Sequence, residues 1–203
     1  MVEKKLKSKD EILRERILSG ADRLFQKYGL SKTTVEDIAR EAGKGKSTLY
    51  YYFKSKEEIF DVIIQNEKKL FFEILQESVS KAPTAKEKLH VFIITRFTRL
   101  KELTNLYNVM IDEVKEALDG CVTLRYRKQY EQKEANIVKS IFQYGIVTGE
   151  FRVFSDEDLD LMAFCFMSSQ HGLEIDMIIH NKLDEMLSRL NFLMSLLIDG
   201  IKK

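Results

Sequence analysis

The stretch "TTVEDIAREAGKGKSTLYYYFKSKEEIF", Thr33 to Phe60, gathers side chains with one chemistry in common. Lys44, Lys46, Lys54 and Lys56 surround Tyr50, Tyr51 and Tyr52. Three consecutive rings on a helix point about 100° apart, so at least one must face outward. Ammonium groups, phenol hydroxyls and the hydroxyls of Thr33, Thr34, Ser47 and Thr48 are donors suited to phosphate oxygens and base edges. The chemistry on offer is noncovalent recognition of a polyanion. The sequence has no Gly-rich phosphate loop, nucleophile elbow, HExxH or CxxC, so no enzyme is expected. Cys121 and Cys165 match no zinc spacing, and the run His171-Gly-Leu-Glu174 lacks further ligands. Neither a metal nor a cofactor is expected.

The charge is distributed to the same end. The chain carries a net charge of +1, but residues 1–56 carry +6 and the remainder −5. A basic first quarter on an acidic remainder reads as a polyanion-binding head on a body with another task. Apolar residues make up 44% of the 203, enough for a sizeable core, and one proline, Pro83, permits long helices. The N-terminus lacks the apolar run of a signal peptide, and no apolar stretch reaches the ~18 residues of a membrane span. The expected compartment is the cytoplasm, with no membrane partner.

The elements that must position these residues are helical. Residues 12–28 repeat apolar groups at helical spacing, and Gly29 stops the pattern. Thr34 and Asp37 form a capping box for a short helix to about Ala42, and Gly43 ends it. A third helix covers about Lys46 to Phe53, with Leu49 as its buried anchor. Ser55 opens a further capping box into a long helix from Lys56 to about Ser80. Helices are then expected over 89–100, Asn105–Leu118, Thr123–Val147, Asp156–His180 and Leu183–Ile201. The fold class is all-α: an N-terminal three-helix helix-turn-helix and a larger helical bundle, about nine helices in all. The expected division is 1–55 for DNA binding and 56–203 for ligand binding and dimerisation.

The segment TTVEDIAREAG…STLYYYFKSKEEIF, preceded by LFQKYG, resembles the signature of the tetracycline-repressor (TetR) family of one-component transcriptional regulators. The resemblance covers about residues 10–60. It implies a head that binds operator DNA as a dimer and a body that binds a small ligand releasing the DNA. It further implies that Thr33 and Thr34 contact phosphate, that Lys46 and Ser47 face base edges, and that Thr48 touches backbone or a base. Tyr50 would lie near the groove, Tyr51 and Tyr52 on phosphates, and Lys56 resembles the family's phosphate-binding lysine. Lys44 stands where the family usually has an apolar turn residue, and reaches phosphate or snorkels.

The body is rich in aromatic and methionine side chains: Phe92, Phe97, Tyr107, Met110, Phe142, Phe164 and Met167. Such groups line an apolar pocket or fill a core, and sequence spacing does not separate the two. Arg96, Gln170, His171 and Glu174 interrupt these apolar segments and are candidates to meet a polar ligand end; His171 and Glu174 equally form a simple i, i+3 pair. The last two helices are apolar on too wide a front for one core, so one face is expected to pack on a second subunit. Leu190 and Leu197 are the positions expected at that interface. The expected function is a ligand-responsive regulator, a repressor that binds a palindromic operator as a homodimer and is released by an apolar small molecule. A DNA-binding scaffold without effector is the alternative, and a helical enzyme a remote one.

Overall fold

The computed structural model describes residues 8–102, 121–180 and 182–203. Eight helices occur among them: α1 (Lys9–Tyr28), α2 (Val35–Glu41), α3 (Lys46–Tyr52), α4 (Lys56–Lys81), α5 (Ala85–Glu102), α6 (Cys121–Val147), α7 (Asp156–Ile179) and α8 (Leu183–Ile201). The helix expected over Asn105–Leu118, with Tyr107 and Met110, lies outside the described residues. The chain forms two compact units, Met1–Leu70 and Phe71–Lys203.

In the first unit the helix ends are fixed by local side-chain chemistry. Ser8 and Glu11 make a reciprocal capping box at the start of α1, and Thr34 and Asp37 make one at the start of α2. Gly29 and Gly43 take positive φ, 82° and 67°, where a Cβ would be strained. At Gly43 the Gly43 N–H donates to the Arg40 carbonyl at 3.0 Å and the Lys44 N–H to the Ala39 carbonyl at 2.9 Å. This 5→2 and 6→1 pair is a Schellman motif. It needs only backbone groups at Lys44, so the lysine does not disturb the turn. At α4 the capping differs from the expected box. The Glu58 N–H donates to Ser55 Oγ, but the Glu58 carboxylate accepts from the Lys54 N–H instead of that of Ser55.

The core of this unit is closed by Ile17, Phe25, Ile38, Leu49, Phe53 and Phe60, all at most 2% exposed. Phe25 and Phe60 meet edge to face at 5.5 Å, and Arg14 lies over the Phe53 ring.

The second unit buries Leu75, Leu89, Phe92, Phe97, Val138, Phe142, Phe151, Phe166, Met167, Leu190 and Met194 in one cluster. Its loop after α6 is clamped twice. A Cβ on Gly145 would sit 2.2 Å from the Phe151 ring, so only glycine admits that ring. The Glu150 carboxylate accepts from the N–H groups of Ala85 and Lys86, capping α5. Burial pushes this carboxyl up, but those two donors and Thr148 together outweigh it and hold it below the ordinary glutamate range. No described helix is long and apolar enough to cross a membrane.

Candidate nucleic-acid interface

Leu49 is fully buried beneath α3, which turns the flanking residues of that helix outward. Lys44, Lys46, Ser47, Tyr50 and Tyr51 are exposed, Thr34 is exposed at the α2 N-terminus, and Thr48 is half-buried. Tyr51 is 79% exposed, which answers the three-ring problem: one ring does face solvent. Its edge meets Tyr52 at 5.0 Å. The Tyr52 hydroxyl donates to Asp10 Oδ1 at 2.8 Å, tying α3 to α1, and that bond pushes the phenol pKa up. Lys46 is paired with Glu36 of α2 and lies 5.7 Å from the Tyr50 ring centre. The hydrogen bond with Glu36 raises the Lys46 pKa and lowers that of Glu36, so both stay charged at neutral pH.

Two of the ten expected DNA-contacting residues are turned inward. Thr33 is 2% exposed and its hydroxyl donates to the Gly29 carbonyl at 2.7 Å. The Lys56 ammonium donates to the carbonyls of Leu30, Thr33 and Ser31, at 2.7, 3.0 and 3.3 Å. Three donors meet three carbonyls that no helix ladder serves. Both residues thus hold the loop that presents Thr34. Glu36 and Asp10, which pair with recognition-helix side chains, were not singled out in the sequence. Their acidic character among basic neighbours was the available signal.

In the body the expected ligand residues separate into three groups. Phe92, Phe97, Phe142 and Met167 are at most 3% exposed and pack within the core. Phe164 is 59% exposed and borders a groove of about 550 Å³ between α6 and α7. Arg96 and His171 join a buried polar cluster. Arg96 Nη1 donates to Glu134 Oε2 at 2.5 Å, and its Nε and Nη2 donate to Glu174 Oε1 at 3.0 and 2.6 Å. His171 Nε2 lies 3.5 Å from Glu134 Oε2, so the expected His171–Glu174 pair is replaced by contacts to α5 and α6. Glu134, 2% exposed, was missed in the sequence. Its signal was position: it shares the α6 stripe of Val138 and Ile141, at i+4 and i+7. A separate cleft of about 230 Å³ is lined by Phe71, Ile74, Ile94, Thr95, Thr98, Arg99 and Glu102.

The last two helices carry a second, outward apolar set. Leu161, Phe164, Ile175 and Ile179 on α7, and Phe192, Leu193 and Leu196 on α8, are between 37% and 61% exposed. Leu190, expected at an interface, is 3% exposed and belongs to the core, because it shares the inner stripe of Met194 and Ile198. Leu197 is half-buried against that core.

The head matches the family model described as bacterial regulatory proteins, tetR family, over residues 17–63. The chain is 30% identical over 139 residues to the fatty acid metabolism regulator protein of Bacillus subtilis, covering 67% of this chain and 69% of that protein. It is 28% identical over 146 residues to the transcriptional repressor KstR2 of Mycolicibacterium smegmatis, covering 72% and 71%. A crystal structure of a transcriptional regulator from Cytophaga hutchinsonii superposes with a TM-score of 0.78 at 25% identity, covering 93% of this chain and 98% of that one. The capped α2, the Gly43 turn and the exposed α3 are the structural counterpart of that match: the chain belongs to the TetR family of helix-turn-helix transcriptional regulators, which are not enzymes.

Proposed function

We propose that this regulator is a cytoplasmic, ligand-responsive repressor that binds a palindromic operator as a homodimer. The observation that carries the reading is α3 with Leu49 locked in the core and Lys46, Ser47, Tyr50 and Tyr51 facing solvent. The head, residues 1–55, places the N-terminus of α3 against base edges. Lys44, Thr34, Thr48 and the tyrosines contact the backbone. Thr33 and Lys56 act one step back, by shaping the loop before α2. Two heads read two inverted half-sites, because the outward apolar rows of α7 and α8 pair with those of a second copy.

The body, residues 56–203, binds a small effector with an apolar portion. Two relatives, a fatty acid metabolism regulator and a KstR2 repressor whose M. tuberculosis counterpart is a ketosteroid transcriptional regulator, support an effector of apolar character. An effector that favours one arrangement of the body a hundredfold shifts the DNA-binding equilibrium by about 2.7 kcal/mol. Native mass spectrometry of the purified protein tests the reading. A dimer is expected, with a co-purified small molecule whose readdition dissociates bound duplex DNA. A monomer, or DNA affinity unchanged across a wide range of that molecule, contradicts it.

A further inference from the structure

Glu36 and Lys46 stand on different helices of the head, ten residues apart, on either side of the Gly43 turn. Glu36 is the second residue of α2 and Lys46 the first of α3. Buried Ile38 and Ala39 fix which way α2 faces, and buried Leu49 does the same for α3. The neighbouring carboxylate, Asp37, is taken by Thr34 and Arg40, so Glu36 is the one that meets the Lys46 ammonium. The Tyr50 ring centre lies 5.7 Å from the same ammonium, which is thus held by a carboxylate and a ring face. Both charged side chains are about half exposed, at 51% and 56%. An exposed ion pair contributes little to folding, so its weight falls on whatever approaches from solvent. A lone ammonium is a point charge that any phosphate attracts, and that attraction is blind to sequence. Beside a carboxylate the net charge cancels, but the ammonium has three donors and the bond to Glu36 Oε1 uses one. Two donors remain, suited to the O6 and N7 acceptors of a guanine edge.

We propose that Glu36 is a specificity-determining residue of the head: its carboxylate cancels the pull of Lys46 on phosphates and holds the ammonium as an oriented donor for a base edge. The inference rests on the reading of α3 as the element that faces the bases, and it adds a residue outside the ten expected DNA contacts. Glu36 acts through Lys46 and is in that sense a positioning residue. It also sets a penalty against wrong registers. A head that brings a phosphate to Lys46 brings the same phosphate to Glu36, and the like charges repel. A head in register presents uncharged base acceptors to Lys46 and meets no such repulsion. Glu36 therefore lowers affinity for DNA in general, and lowers it most where the sequence is wrong.

The test uses the full chain and two duplexes: the sequence it selects from a randomised pool, and a scrambled one of the same length and composition. Binding of the parent, Glu36→Gln, Lys46→Ala and the double variant is measured between roughly 50 and 200 mM salt, the range over which phosphate contacts are most visible. Glu36→Gln should bind the scrambled duplex more tightly, with a salt slope steeper by roughly 0.9 per head. Its preference for the selected duplex should fall about threefold or more, the weight of one phosphate contact over that salt range. In the Lys46→Ala background the same substitution should leave the preference unchanged, because the ammonium it would release is gone. A preference that falls equally in that background overturns the inference, since Glu36 would then act on the DNA without Lys46. Glu36→Gln tightening both duplexes alike, or changing neither, overturns it too. In those three cases a selective parent leaves the reading of α3 standing. A parent that prefers neither duplex removes that reading, and the inference with it.

Discussion

The two units distribute polarity in opposite senses. The first unit seals Ile17, Phe25, Leu49 and Phe60 inside and carries Lys44, Lys46, Tyr50 and Tyr51 on the surface. The second unit buries Arg96, Glu134 and Gln170 and leaves Phe164, Phe192 and Leu196 about 60% exposed. A module that meets a charged polymer needs a rigid core and an outward polar face. The second unit holds paired charges inside and apolar rows outside, and each arrangement can be probed by breaking it.

The largest effect is expected inside the body. Arg96→Met removes the guanidinium from two buried carboxylates and should cost about 3–5 kcal/mol in urea unfolding. Adding Glu134→Leu and Glu174→Leu should recover most of it, since an apolar replacement of a buried ionic group is often near neutral. A single mutant as stable as the parent would show that the cluster is solvated and would undo the contrast between the units.

Next comes the surface of α8. Leu190→Ala, in the core, should destabilise the fold by about 2–4 kcal/mol. Leu196→Glu or Phe192→Glu should leave the helical circular dichroism intact and yield monomers in sedimentation. A dimer that survives both exposed substitutions would rule out these rows as the subunit interface.

A smaller effect belongs to the head. Thr34→Ala removes the α2 cap and should cost about 1 kcal/mol. The Thr34 hydroxyl and N–H are the main cause of the lowered Asp37 pKa. A depressed folded-state carboxylate contributes stability that is present above its unfolded pKa, about 3.9, and is lost as pH falls through the lower folded value. The parent should therefore lose stability faster than Thr34→Ala as pH drops below about 4. Parallel acid profiles would show that Asp37 draws its stabilisation elsewhere.

The smallest effect on folding is expected at Glu36→Gln, which frees Lys46 from an exposed pair. Thermal stability should not change measurably, while affinity for duplex DNA should rise. Unchanged affinity would mean that Lys46 does not reach the duplex.

How much of this was legible beforehand follows from where the determining interactions lie. Caps and turns are local, so Thr34–Asp37, Gly29 and Gly43 announced the head, and the Leu183–Ile201 helix was read to the residue. What a residue faces depends on partners far along the chain. Thr33 and Lys56 looked like surface donors but serve carbonyls of one loop, and for Lys56 those carbonyls lie 23 to 26 residues away. Arg96 interrupts an apolar stripe in the sequence, yet Glu134 and Glu174, with which it pairs, are 38 and 78 residues distant. Leu190 and Leu196 are equally apolar in sequence, and only the packing of α8 tells core from exposed row.

Sequence-selective binding of duplex DNA by paired heads is the property on which the proposed function turns. Selection of bound duplexes from a randomised pool, with the full chain at moderate salt, measures it. Two inverted half-sites at a fixed spacing should emerge, with a salt slope of roughly −0.9 per phosphate contacted and a preference that weakens in Lys46→Ala more than binding to random DNA does. A pool that shows no enriched sequence, or one enriched in a solitary half-site, would contradict the account.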